Sequence, residues 1–163
     1  MQPQPRLVRI CSLAFAFALI LLWREAPTLA QEKPEKSLYE RLGGVKPIVL
    51  VVDDFIDRLV TNETLNANPQ IREGRDRSPD PYLKFRVTNL VCQVTGGPCK
   101  YTGLPMKDSH RHLNITEAEW QIMLTEFKQS LDKFQVPAKE QAELIAIVES
   151  TKKDIVLTAA VQQ

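Results

Sequence analysis

The feature that most constrains this chain is an apolar stripe toward its C-terminus. Trp120, Met123, Leu124, Phe127, Leu131 and Phe134 recur in helical period, so they share one face of an α-helix. Thr116 with Glu119, immediately ahead of the stripe, reads as a capping box that starts that helix. A face this apolar has to be covered, and the rest of the chain offers more helices to cover it. Pro137 starts another, with Leu144, Ile147, Val148, Thr151 and Ile155 as its stripe. The short turn from Lys133 to Val136 between the two implies an antiparallel pair. Upstream, Ile48, Val51, Val52, Phe55 and Leu59 predict a helix from about Pro47 to Val60, with Ile56 bordering the same face. Leu83, Val87, Leu90, Val91 and Val94 predict one more, closed by Gly96-Gly97-Pro98.

Two shorter helices complete the pattern. Ser37 with Glu40 caps one that Gly43-Gly44 ends, and Pro105 opens the other as its first residue. That second helix carries Met106, His110 and Leu113 at i, i+4 and i+7, on one face. Only the stretch from Asn66 to Pro81 shows no period, with Pro69, Gly74, Pro79 and Pro81 among charged residues, and it reads as a long irregular loop. No segment alternates like a strand for long enough to compete. The expectation is an all-α fold of about six helices around one core, the usual number for 163 residues.

The first 30 residues stand apart. Arg6 and Arg9 precede an apolar run of 14 residues, Ile10 to Trp23, and Thr28-Leu29-Ala30 supplies small residues before Gln31. This is the layout of a secretory signal peptide over residues 1–30, followed by a polar linker, 31–36. It implies export to the periplasm or beyond. An uncleaved membrane anchor through residues 10–23 is the alternative, although a bilayer needs roughly 20 apolar residues. Cys11 leaves with the signal, and the oxidising compartment permits a Cys92–Cys99 disulfide. Two free thiols are equally compatible with the sequence, which does not show whether the backbones approach. A formal charge of +1, with no long single-sign block, gives no electrostatic basis for binding nucleic acid.

With two histidines, the chain has almost nothing from which to build a multi-histidine metal site. His112 points about 200° away from His110 on a helix, so the two cannot grip one ion and His112 is most simply solvated. His110, on an apolar face, is either a core histidine bonded to a backbone carbonyl or the axial ligand of a haem iron. Haem is the metal cofactor compatible with one imidazole, because the porphyrin supplies the other four nitrogens. Asp53-Asp54 reads as the solvated face of its helix, and the sequons at Asn62 and Asn114 as chance matches.

The motifs Ser37-Leu-Tyr-Glu-Arg-Leu-Gly-Gly44, Val52-Asp-Asp-Phe55, Thr95-Gly-Gly-Pro98 and Tyr101-Thr-Gly-Leu-Pro-Met-Lys-Asp-Ser-His110, with Ile115 to Trp120, resemble the truncated haemoglobins of group I. The similarity runs from about Leu38 to Leu157 and places the globin domain at 37–158, before a short tail, 159–163. It implies a two-over-two helical sandwich enclosing haem b, with His110 as proximal iron ligand. Met106, Leu113, Phe55, Ile56, Leu83, Val87, Tyr101 and Trp120 are then the residues around the cofactor. The ligand side departs from the family. Ile56 stands where members typically place a tyrosine, and Val87 where many carry glutamine. Asn68-Pro69 lies near the family's haem-packing phenylalanine, within a loop several residues longer than usual, so Tyr82, Phe85 or Tyr101 could supply an aromatic or a polar hand. The function implied is binding of oxygen, carbon monoxide or nitric oxide. Nitric oxide dioxygenase or peroxidase-like turnover would need an external reductase, since the chain has no flavin or nicotinamide fingerprint. A haem-free, exported interaction module on the same fold is the competing reading.

Overall fold

The computed structural model describes residues 35–156. The signal segment with Cys11 and the alternative anchor, and the tail 159–163, lie outside them.

The described residues form nine helices: α1 (Leu38–Arg41), α2 (Val45–Thr61), α3 (Glu63–Asn66), α4 (Pro69–Arg77), α5 (Asp80–Val94), α6 (Met106–His110), α7 (Glu117–Lys133), α8 (Ala138–Ser150) and α9 (Lys152–Ile155). Both capping boxes form as the sequence predicts, Ser37 with Glu40 and Thr116 with Glu119. Three helices end alike. Gly43, Gly96 and Gln135 take positive φ just past α1, α5 and α7, and the paired backbone bonds of a Schellman turn close each end. Gly43 and Gly96 adopt this left-handed conformation without cost, whereas Gln135 holds it against its own Cβ.

The stretch expected to be irregular is largely helical. The Asn62 side chain accepts from the Leu65 amide at 3.1 Å and starts α3, and the Asn68 side chain accepts from the Gln70 amide at 2.9 Å and starts α4. Pro69 occupies the first position of α4, where a missing N–H costs nothing, while Pro79 is the N-cap of α5 and Pro81 its second residue, where the N–H is likewise unneeded. The prolines that read as breakers are therefore helix starts. No apolar period announced α4 because none of its residues is fully buried. The last predicted helix also divides, with the Thr151 amide turning to the Val148 carbonyl between α8 and α9.

α2 is the element on which the others are assembled. It packs against both α5 and α7. Val51 belongs to a buried cluster with Leu38, Phe127, Leu131 and Leu144, while its neighbours Ile48, Val52 and Ile56 form a second cluster covered by Leu83, Val87 and Val91 of α5. Phe55 touches both, and its ring meets that of Phe127 edge-on at 5.1 Å.

One polar group lies within this seam. Asp54, expected on a solvated face, is instead half-buried and joins α2 to α7: it accepts from Arg58 Nε at 2.7 Å, from the fully buried Ser130 hydroxyl at 2.8 Å, and from Lys133. Asp53 does take the exposed position, paired with Lys84. Burial alone would push the Asp54 carboxyl upward, but the bonds from Lys133, Arg58 and Ser130 outweigh it and hold the group far below its ordinary value of 3.8. A carboxylate so depressed contributes stability above its unfolded-state pKa and loses it as pH falls. Asp54→Asn is accordingly expected to cost about 1 to 3 kcal/mol in urea unfolding at pH 7, with the gap from the parent narrowing as the pH drops below about 4. Equal stabilities at pH 7 would show that the cluster carries nothing.

Candidate functional site

α6 is just over one turn long, and His110 is its last residue. The His110 Nδ1 lies 2.9 Å from the Met106 carbonyl oxygen and 2.9 Å from the Ser109 hydroxyl. A carbonyl oxygen only accepts, so Nδ1 carries the hydrogen and donates, leaving the lone pair on Nε2. Burial lowers the imidazole's pKa below its ordinary 6.5, partly countered by the Met106 bond, with the positive tendency of His112 lowering it further. The ring is therefore neutral at pH 7. The stability linked to that neutrality is present above pH 6.5 and is lost as the pH falls toward the depressed value. The carbonyl bond of a structural histidine is thus present, and it also leaves one nitrogen available as a ligand, with the ring orientation already set.

The residues predicted around His110 divide into two groups. Phe55, Ile56, Leu83 and Val87 lie together in the cluster built on Ile48 and Val52, and Ile56 is only 2% exposed. Tyr39 packs on the same cluster. Sequence reasoning missed it because it sits in a helix too short to show a stripe. Leu113 does not share a helical face with Met106 and His110: α6 stops at His110, and Leu113 falls in the turn that follows, its amide bonded to the His110 carbonyl at 2.9 Å. Pro105 is the N-cap residue of α6 and not its first helical residue.

Tyr101 supplies no hand to the apolar cluster. Its hydroxyl donates to the Leu104 carbonyl at 2.9 Å and its ring lies over Gly103, where a side chain would collide with it. Tyr82 and Phe85 stand 50% and 60% exposed on α5, with the Arg86 guanidinium 4.8 Å from the Tyr82 ring centre. Trp120, in the first turn of α7, is 1% exposed, and its indole N–H is buried with no partner among the described residues.

Cys92 and Cys99 are disulfide-bonded across 5.7 Å between Cα atoms, which settles the choice that the sequence left open. Cys92 is wholly buried in α5, and the bond closes the Gly96-Gly97-Pro98 turn and ties the approach to α6 back onto that helix. The same approach is held by the Tyr101 amide on Gln93 at 2.8 Å and by Arg86 on the Thr102 hydroxyl. An apolar cavity of about 40 Å³ lies elsewhere, walled by Ile48, Val52, Val91, Phe127, Leu131 and Leu144, and His110 is not part of its lining. Replacing the disulfide by Cys92→Ala with Cys99→Ser is expected to lower stability by about 2 to 3 kcal/mol in urea unfolding, the scale for closing a short loop. Unchanged midpoints would remove its assigned role as a tie.

Residues 37–157 match the family model of the bacterial-like globins. A group 1 truncated haemoglobin of Mycolicibacterium paratuberculosis is 27% identical over 112 residues, covering 69% of this chain and 78% of the relative. One of Chlamydomonas moewusii is 24% identical over 132 residues, covering 80% of this chain and 72% of its own length. Among solved structures, the truncated haemoglobin of Tetrahymena pyriformis in its Fe(III) form superposes with a TM-score of 0.66 at 20% identity, over 76% of this chain and all of that one. The 2/2 haemoglobin of Synechococcus sp. PCC 7002, solved in the cyanomet state with covalently attached haem, does so with a TM-score of 0.65 at 20% identity, over 74% and 98%. The likeness to these structures is one of fold.

Proposed function

The chain belongs to the bacterial-like globin family, and on that footing we propose that it binds haem b through His110 and takes up a diatomic gas on the opposite, apolar side. The observation that carries the proposal is the free Nε2 of a neutral imidazole whose Nδ1 is already committed to the Met106 carbonyl. When bound, haem supplies four porphyrin nitrogens and a redox-active iron, so a single side-chain ligand completes the site. The residues present fit that demand. Met106 fixes the ring and raises the basicity of Nε2, which is the work of an outer-shell partner at a metal-ligating histidine.

The apolar set on the other side governs which gas is held. Ile56, Leu83 and Val87 are apolar and offer no side-chain hydrogen-bond donor. A haem bound here would supply an iron that takes up such gases, and a side-chain donor facing it would be worth about 1 to 3 kcal/mol, roughly five- to a hundredfold in affinity for oxygen. Carbon monoxide and nitric oxide depend less on that bond. The chain is therefore read as a weak retainer of oxygen that discriminates in favour of the other two gases. Turnover of nitric oxide or peroxide would draw electrons from an external reductase. Export is supported by the N-terminal layout and by the Cys92–Cys99 bond, of a kind that persists in oxidising compartments.

Hemin added to the chain expressed from Gln31 is expected to give a strong Soret band that sharpens with carbon monoxide on reduction, and His110→Ala is expected to lose or shift it. A folded, helical chain that takes up no stoichiometric hemin would instead favour a haem-free interaction module. Ile56→Tyr is expected to slow oxygen release at least about fivefold in stopped-flow mixing, by restoring one donor. Release from the parent already as slow as from the variant would refute the apolar-pocket assignment.

A further inference from the structure

α4 buries none of its own residues fully. Its contacts nevertheless converge on the turn that follows His110. The Asn68 side-chain amide donates to the Leu113 carbonyl at 3.1 Å and to Glu119 Oε1 at 2.8 Å, while its oxygen caps α4. Glu119 is the carboxylate of the capping box that starts α7. One side chain therefore joins the start of α4, the turn after α6 and the start of α7. Six residues on, Gly74 lies directly beneath Leu113: a Cβ built there would stand 2.6 Å from Leu113 Cδ2, closer than real contacts allow. The Leu113 amide is bonded in turn to the His110 carbonyl at 2.9 Å. Arg75 secures α4 from behind, donating to the Val60 carbonyl and to Asn66 Oδ1 at 2.7 Å each.

We infer that α4 is a brace that sets the position of the His110 imidazole, with Asn68 and Gly74 as positioning residues that act through Leu113. Asn68 grips the turn by its backbone, and Gly74 leaves the space in which the Leu113 side chain seats. α6 is too short to hold its own orientation, since helices of about one turn are unstable without tertiary support. Its N-terminal approach is tied by the disulfide and its C-terminal end by α4. The inference rests on the proposed role of His110 as a haem ligand for its functional meaning, but its structural content is independent of it.

Two substitutions isolate the brace. Asn68→Ser keeps a capping oxygen for α4 and loses the amide that reaches Leu113. Gly74→Ala raises helix propensity, so a purely structural α4 would be stabilised by it, whereas in the brace the added methyl would push the end of the Leu113 side chain from its seat. In the haem-free chain, hydrogen exchange at the amides of Ser109 to Leu113 is expected to accelerate about tenfold in both variants, with the thermal midpoint of Gly74→Ala unchanged or raised. In the hemin-loaded chain, the same variants are expected to lose hemin to an acceptor apoprotein about tenfold faster and to shift the ferrous iron–imidazole stretching band. Adding Leu113→Ala to Gly74→Ala relieves the collision and is expected to restore the exchange rates of the haem-free chain to within about threefold of the parent. Exchange rates equal to the parent's in both variants would overturn the brace. If no chain took up hemin, the haem reading would fail while the exchange data still decided the brace. Normal exchange protection with altered hemin loss would overturn the route through Leu113.

Discussion

Most of this structure depends on α2 burying two adjacent faces at once. Val51 and Val52 are neighbours in sequence, yet they feed different clusters, one shared with α7 and α8 and the other with α5. A helix in that position cannot rotate to improve one contact without spoiling the other, because packed interiors have few voids to absorb the movement. Asp54 adds a directional constraint to this apolar one. Its bonds from Ser130 and Lys133 fix how far α7 can slide along α2, and a carboxylate with this little access to water would be costly if any of its partners moved away.

The candidate site is built on that frame by ties and not by a stable element of its own. α6 is just over one turn of helix held at its leading end by Cys99, Tyr101 and Thr102 against α5, and at its trailing end by Asn68 against Leu113. Within it, one local bond settles the chemistry: the Met106 carbonyl claims the hydrogen of Nδ1, and burial keeps the ring neutral. Positioning therefore comes from tertiary contacts, while the tautomer comes from residues four apart. The two can fail separately, and a variant that disturbs the ties can leave the imidazole chemically intact but misplaced.

What was legible in the sequence followed from repetition and from local pairing. The stripes of α2, α5 and α7 were readable because burial on one face imposes a 3.6-residue period. The capping boxes at Ser37 and Thr116 and the glycines after α1 and α5 were readable because their partners lie within a few residues. His110 stood out because few side chains can serve one iron. α4 was not legible, since a helix with no buried residue has no period, and its prolines read equally well as breaks and as starts. Asp54 was misplaced on a solvated face because its decisive partner Ser130 lies 76 residues away.

The sequence by itself determined the helical class and the family. Each of these rests on residue type and short-range spacing, which survive without coordinates. Tertiary structure alone decided that Cys92 and Cys99 meet, and that Ile56, Leu83 and Val87 share one apolar cluster. It also decided that α4 grips the turn beyond His110. The physical reason is the same for all three: these are contacts between residues whose approach is paid for by the packing of the whole chain, and no local pattern records that.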